Sequence, residues 1–403
     1  MNGIRKLWYR SVQIVLSMLS RILPWRRPEL LQGPGSSREI PGLLKNCGIQ
    51  TVMVVTGRHV GKTLAPAILE NVRSAGLSCV HFGQVEANPS VGTVEALVRQ
   101  YREKGCDGFL AIGGGSPMDA AKAAAARIVR PGRSRRQMAG LFKVMHPLPP
   151  FLAVPTTAGT GSETTIAAVV TDEESHHKYA IMDLSLVPHY AVLDPELTRE
   201  LPPAMTAATG MDALTHGIEA YLCVHNTTAE SRRLAERAVA SIFANLERAY
   251  RDGGDMQARA SLLEASFQAG LAFTRSGVGN VHAIAHTLGG LYGIAHGLAN
   301  AVILPIVLED YGAAVWAKLA RLAACCGLAA HGSEKEKAEA FVAAIRELNR
   351  RMEIPWGFAQ IREEDIPQMV DWALAEANPS YPVPVIYDRT RCGAVIRKIK
   401  EMA

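Results

Sequence analysis

Gly108-Phe109-Leu110-Ala111-Ile112-Gly113-Gly114-Gly115-Ser116-Pro117-Met118-Asp119-Ala120-Ala121-Lys122 joins a short apolar run to three consecutive glycines and then to an alanine-rich stretch. The apolar run, stopped by glycines, reads as a buried strand. The glycines let the backbone approach a pyrophosphate without Cβ clashes. A helix over 117–126 then turns its free N–H groups and its dipole toward the same anion, and Pro117 suits its first turn. The order is not G-x-G-x-x-G, so the usual dinucleotide fingerprint is not met. Taken alone, Gly-Gly-Gly-Ser is equally a simple turn; its place between strand and helix favours the functional reading.

The neighbouring sequence repeats this rhythm. Residues 51–55 and 78–82 read as strands, and 64–75 and 91–104 as helices. Downstream, Phe151-Leu152-Ala153-Val154-Pro155 leads into a second glycine- and hydroxyl-rich loop, Thr156-Thr157-Ala158-Gly159-Thr160-Gly161-Ser162-Glu163, suited to a ribose or phosphate. Strands alternating with helices predict a parallel sheet covered on both faces. From Pro202 the texture changes to long Ala- and Leu-rich amphipathic stretches at 204–223, 227–250, 256–274, 281–292, 297–311, 313–327 and 335–350. The expected fold is therefore an α/β dinucleotide-binding domain over 29–201 followed by an all-helical domain over 202–403.

Residues 1–28 stand apart as a basic amphipathic arm. They hold Arg5, Lys6, Arg10, Arg21, Arg26 and Arg27 and no acid, while the whole chain carries a net charge of +5. The body is thus near neutral, which argues against a nucleic-acid partner. The apolar stretch is interrupted by Arg10, Ser11, Ser17, Ser20 and Arg21, too polar to span a bilayer comfortably. It lacks a small-residue cleavage site. Two readings stay open: an arm packed on the body or on a second subunit, and a helix lying on an anionic membrane. The seven cysteines are odd in number, scattered, and form no C-x-x-C pair. A reducing cytoplasm is the expected compartment, and a homodimer the expected assembly.

Asp212 and His216 stand at i and i+4, as do His282 and His286, and His296 follows between Gly293 and Gly297. On helices, that spacing places each pair on one face, as ligands of one ion require. One carboxylate with several imidazoles suits Fe(II) or Zn(II).

GGGSPMDAAK, PTTAGTGSE, TAATGMDALTHGIEAY and VHAIAHTLGGLYGIAHGLANAVILP together resemble the iron-containing (group III) alcohol dehydrogenases, and the resemblance runs from about Arg38 to Met402. It implies a dehydroquinate synthase-like architecture with the active site in a cleft between the two domains. It implies Asp212, His216, His282 and His296 as ligands of Fe(2+), with Zn(2+) possible. His286 matches a family histidine near the nicotinamide and is the candidate proton relay. Gly114, Gly115, Ser116 and Asp119 match the pyrophosphate and ribose loop. Asn88, Thr156, Thr157, Thr160 and Lys178 match further cofactor positions, and Phe273 a substrate-pocket aromatic. The implied reaction is hydride transfer between NAD(P)(H) and a small alcohol or aldehyde. The rivals are a glycerol-type polyol dehydrogenase or another metal-dependent member of the superfamily, such as a dehydroquinate synthase-like lyase.

One position departs from the pattern. Many NAD-using members carry Thr-Asp after the first strand, where this chain has Thr56-Gly57 followed by Arg58. Without that carboxylate a 2′-phosphate is not repelled, and Arg58 can pair with it. NADP(H) is the expected cofactor, with NAD(H) as the alternative.

Overall fold

The computed structural model describes residues 3–173, 178–328 and 331–403, which fall into two compact units. One comprises Pro24–Leu201; the other joins Met1–Leu23 to Pro202–Ala403.

The first unit is built on a six-stranded sheet. In chain order its strands are β1 (Glu29–Gln32), β2 (Thr51–Gly57), β3 (Ser78–Val85), β4 (Gly108–Gly113), β6 (Phe151–Pro155) and β9 (Tyr190–Leu193). A smaller sheet holds β5 (Gly140–Leu141), β7 (Ala167–Thr171) and β8 (Lys178–Met182). The large sheet has the order β1-β9-β6-β4-β2-β3, and all its pairs are parallel. Successive side chains on its strands face opposite cores. Met53, Val55, Phe109, Ala111, Phe151 and Ala153 join the cluster under the helices Val91–Glu103 and Gly115–Val129. Val52, Val54, Leu110, Ile112, Leu152 and Val154 join the other. Burial on both faces explains why these strands read as continuous apolar runs.

From β2 the chain moves outward to β3; from β4 it moves the other way, to β6. The order reverses between β2 and β4, and a ligand crevice opens outside the carboxyl ends of strands at such a point. Gly57, the Gly113-Gly114 junction and the first turn of the Gly115–Val129 helix lie there.

The second unit is helical. Pro203–Leu222, Ala229–Arg251 and Met256–Ser276 are followed by Asn280–Tyr292 and His296–Tyr311. Trp316–Cys325 and Glu334–Arg351 come next, then Ile366–Ala377 and Arg389–Glu401. Among the described residues one helix, His296–Ala314, is long and apolar enough to cross a bilayer; residues 299–308 of it are buried within the unit.

The arm expected over 1–28 is a helix, Gly3–Ile22, that packs on this helical unit. Tyr9 is buried with Val383 and Ile386. The chain beyond Leu23 belongs to the α/β unit.

Candidate metal centre and cofactor loops

Asp212 and His216 sit one turn apart on Pro203–Leu222, His282 and His286 one turn apart on Asn280–Tyr292, and His296 opens His296–Tyr311. The donor atoms of Asp212, His216, His282 and His296 all lie within 4.8 Å of one another. The first three residues are buried and His296 is half-buried. His282 Nε2 lies 3.8 Å, and His296 Nε2 3.5 Å, from Asp212 Oδ1. This approach depends on Gly297, where a Cβ would stand 2.3 Å from the carbonyl oxygen of Ala208. Only a glycine lets the turn carrying His296 press so closely on the helix carrying Asp212.

Glu219 organises the next layer. Its carboxylate accepts the backbone N–H groups of Gly279 and Val281, each at 2.8 Å, at the start of a helix whose N-cap supplies no side-chain bond. The same carboxylate lies 2.6 Å from His282 Nδ1. A carboxylate there holds the proton on Nδ1 and leaves the Nε2 lone pair facing the cluster. Burial pushes the Glu219 carboxyl up to about 7 against the pull of those N–H bonds. Burial, and then its histidine neighbours, push His282 well below the ordinary imidazole range, which disfavours the charged ring.

Asn300, also buried, gathers three of the four residues. Its Nδ2 donates to Asp212 Oδ1 at 2.7 Å and lies 3.3 and 3.2 Å from His282 Nε2 and His296 Nε2. Phe273 stacks on the His216 ring with centroids 4.2 Å apart. His286 is not in the four-residue group. It stacks on His296 at 4.9 Å, and its Nδ1 lies 2.7 Å from Glu376 Oε1, which also accepts from the Tyr381 hydroxyl at 2.7 Å. One carboxylate and three imidazoles, converging and mostly dry, fit a divalent transition metal.

The α/β unit brings the two glycine-rich loops together. Gly113 has φ +148°, and a Cβ on it would lie 2.8 Å from Pro117 Cγ. Its carbonyl accepts the Thr156 N–H at 3.0 Å. Thr157 and Thr160 press on Gly114 and Gly115, where a Cβ would meet their side chains at 3.2 and 3.1 Å. Ser116 Oγ accepts the Asn88 N–H at 3.4 Å, and Asn88 Oδ1 accepts Lys178 Nζ at 2.6 Å. Asp119 has a role the resemblance did not imply. Its carboxylate accepts Ser162 Oγ at 2.9 Å and the Val169 N–H at 3.1 Å, bonds that tie the loops together. Buried Lys122 adds to this tie, donating to the Ser162 and Thr165 carbonyls at 2.6 and 2.9 Å.

The model of the family "Iron-containing alcohol dehydrogenase" matches residues 28–195, and that of "Fe-containing alcohol dehydrogenase family, C-terminal" matches 206–398. The chain is 36% identical over 343 residues to the NAD-dependent methanol dehydrogenase of Bacillus methanolicus, covering 84% of this chain and 90% of that protein. It is 39% identical over 313 residues to the 1,3-propanediol dehydrogenase of Klebsiella pneumoniae, covering 77% and 80%. The solved alcohol dehydrogenase from Oenococcus oeni superposes with a TM-score of 0.89 at 30% identity, over 93% of this chain and 99% of that one. The chain belongs to the iron-containing alcohol dehydrogenase family. It is accordingly a metal-dependent oxidoreductase acting on alcohols with a nicotinamide cofactor.

In this iron-containing alcohol dehydrogenase, Glu219, Asn300 and Glu376 escaped the sequence reading. Glu219 follows Asp212 and His216 in an i, i+4, i+7 series on one helical face, and Asn300 is i+4 from His296. That spacing was available as a signal. Glu376 is 90 positions from His286, and no local pattern joins them.

Proposed function

We propose that the chain interconverts a small primary alcohol or short diol and its aldehyde, with Fe(2+) held by Asp212, His216, His282 and His296 and with NADP(H) as the preferred hydride partner. The four converging donors carry this reading. Bound there, a divalent ion would supply Lewis-acid polarisation of an alcohol or carbonyl oxygen, and a bound nicotinamide would supply the hydride chemistry. Glu219 keeps the His282 lone pair aimed at the cluster, and Phe273 covers His216 with an apolar ring. His286, its Nδ1 held by Glu376, presents the other ring nitrogen for proton exchange with substrate and solvent. Residues 202–403 thus bind metal and substrate. Residues 29–201 bind the dinucleotide through Asn88, Gly114, Gly115, Ser116, Thr156, Thr157, Thr160 and Lys178. The methanol and 1,3-propanediol dehydrogenases among its relatives support a short, unbranched substrate.

A cavity of about 500 Å³ at the ends of β2 and β3 supports the cofactor preference; Arg58, Lys62 and His81 line it. Gly57, immediately before Arg58, contributes no carboxylate, and Arg58 and Lys62 are both exposed. Two cations in a concave site suit a 2′-phosphate. All seven cysteines are free, which supports a reducing cytoplasm. β1 ends the large sheet and offers an edge to a second copy, which supports a homodimer.

Metal analysis of anaerobically purified protein, followed by an aldehyde panel with NADPH and NADH, tests the reading. Bound iron, turnover of short aldehydes and a higher kcat/KM with NADPH are expected. His282→Ala loses metal and turnover together; a variant that keeps its activity overturns the assignment.

A further inference from the structure

We propose that the outward face of the Gly3–Ile22 helix is a docking surface for an anionic lipid bilayer. An ordinary surface helix turns its apolar stripe to the core. This one is mounted the other way. Its inward stripe is Tyr9, Gln13 and Ser17, all buried. Gln13 Nε2 donates to the Tyr381 carbonyl at 2.8 Å, and Ser17 Oγ to the His225 carbonyl at 2.6 Å. Arg10 donates to the Val383 and Pro384 carbonyls at 2.7 and 2.9 Å. Rotating the helix to hide its apolar side would break every one of these bonds.

The opposite face carries Ile4, Leu7, Trp8, Val15, Met18, Leu19 and Ile22, each between 52% and 79% exposed, with Ile14 at the margin. At about 100° per residue they fill an arc of roughly 140°, interrupted by Ser11. Arg5 borders the arc on one side and Arg21 on the other, and both are exposed. So long an apolar strip on a protein surface marks an interaction site.

The charges choose the partner. Apolar side chains flanked by cations, with an aromatic at one end, fit the plane of lipid headgroups. The strip enters the acyl boundary while Arg5 and Arg21 meet anionic headgroups and Trp8 sits at the interface. A second copy fits less well. Two such faces packed together would bring the flanking cations of both copies into one interface, and residues 1–28 contain no acid to pair with them.

Co-sedimentation of the full-length, metal-loaded protein tests this. Vesicles of phosphatidylcholine with about 30 mol % phosphatidylserine are compared with pure phosphatidylcholine. The wild type is expected to pellet with the anionic vesicles. Binding should fall about tenfold in Val15→Glu/Leu19→Glu and in about 0.5 M NaCl. Both side chains point to solvent, so turnover and melting temperature should stay unchanged. Arg5→Glu/Arg21→Glu, which keeps the strip intact, should lose the anionic preference and serves as the test if the first variant does not fold. Equal pelleting of wild type and variants overturns the proposal. So does a wild type that ignores both vesicles while Val15→Glu/Leu19→Glu lowers the oligomeric state in sedimentation velocity, since a second copy would then cover the face.

Discussion

Glu219 Oε2 stands 2.6 Å from His282 Nδ1 while the same carboxylate takes the N–H groups of Gly279 and Val281. One side chain therefore starts a helix and fixes the tautomer of a ring that the helix carries. All the bonds it receives come from donors, so an acceptor-only group is required.

Glu219→Gln keeps the size but turns one acceptor into an NH2 that must face a donor. Metal affinity should fall about 10–100-fold, the usual cost of removing a ligand's hydrogen-bond partner. Calorimetric titration of the metal-free protein with Zn(2+) checks this. An unchanged Kd would mean that Glu219 serves only the helix start.

Asn300 Nδ2 donates to Asp212 Oδ1 at 2.7 Å. Asn300→Asp would set a second carboxylate beside the first in a buried site, where like charges repel strongly. The metal-free variant should melt below the metal-free wild type, and adding metal should raise its Tm by more than it raises that of the wild type. Equal thermal shifts would refute the repulsion.

Gly297→Ala drives a Cβ to 2.3 Å from the Ala208 carbonyl oxygen. The obstacle is backbone, so the helices must separate, at a cost of about 1–3 kcal/mol. Because the displaced turn carries His296, metal content after dialysis should fall with stability. Urea unfolding and metal analysis on one preparation check both.

His189 ties stability to pH. Its Nδ1 accepts the Phe151 N–H at 3.1 Å, and burial, aided by Arg26, pushes the imidazole down to about 4 from 6.5. Between those values the unfolded chain binds a proton that the folded chain refuses. Stability therefore rises with pH through this window and is lost as pH falls from 6.5 toward 4. His189→Gln keeps an acceptor but does not titrate, so its Tm should vary less across the window. Parallel slopes for both proteins would assign the acid sensitivity elsewhere.

Long, strongly patterned elements were legible in the sequence. β4 and its glycine turn match the sequence-based expectation almost residue for residue, and the helices from Pro203 to Arg351 differ from it by a few positions at their ends. β1 and β9, at four residues each, and β5, at two, are too short to show a period, and nothing local marks the pairing of β7 with β8 in a sheet of their own. Ile366–Ala377 and Arg389–Glu401 are helices beyond the amphipathic stretches that the sequence marks, separated by a stretch that Pro379, Pro382 and Pro384 break. The Gly3–Ile22 helix is amphipathic in sequence, but nothing local says which side faces in. That is decided by carbonyls of residues 225 and 381–384, far along the chain. The same limit separates Asp212 and His216, placed by helical spacing, from the Glu376 contact to His286, which only the tertiary fold creates.

Arg10 binds the carbonyl of Val383, 373 positions later. At a synthesis rate of about 5–20 residues per second, the helix waits roughly 20–75 seconds on the ribosome before its seat exists. Through that interval both its sides are in water, open to chaperones. Its docking is therefore a late event, one that a prematurely stopped chain never reaches. The state of this helix thus reports whether the stretch from Tyr381 to Pro384 has been made.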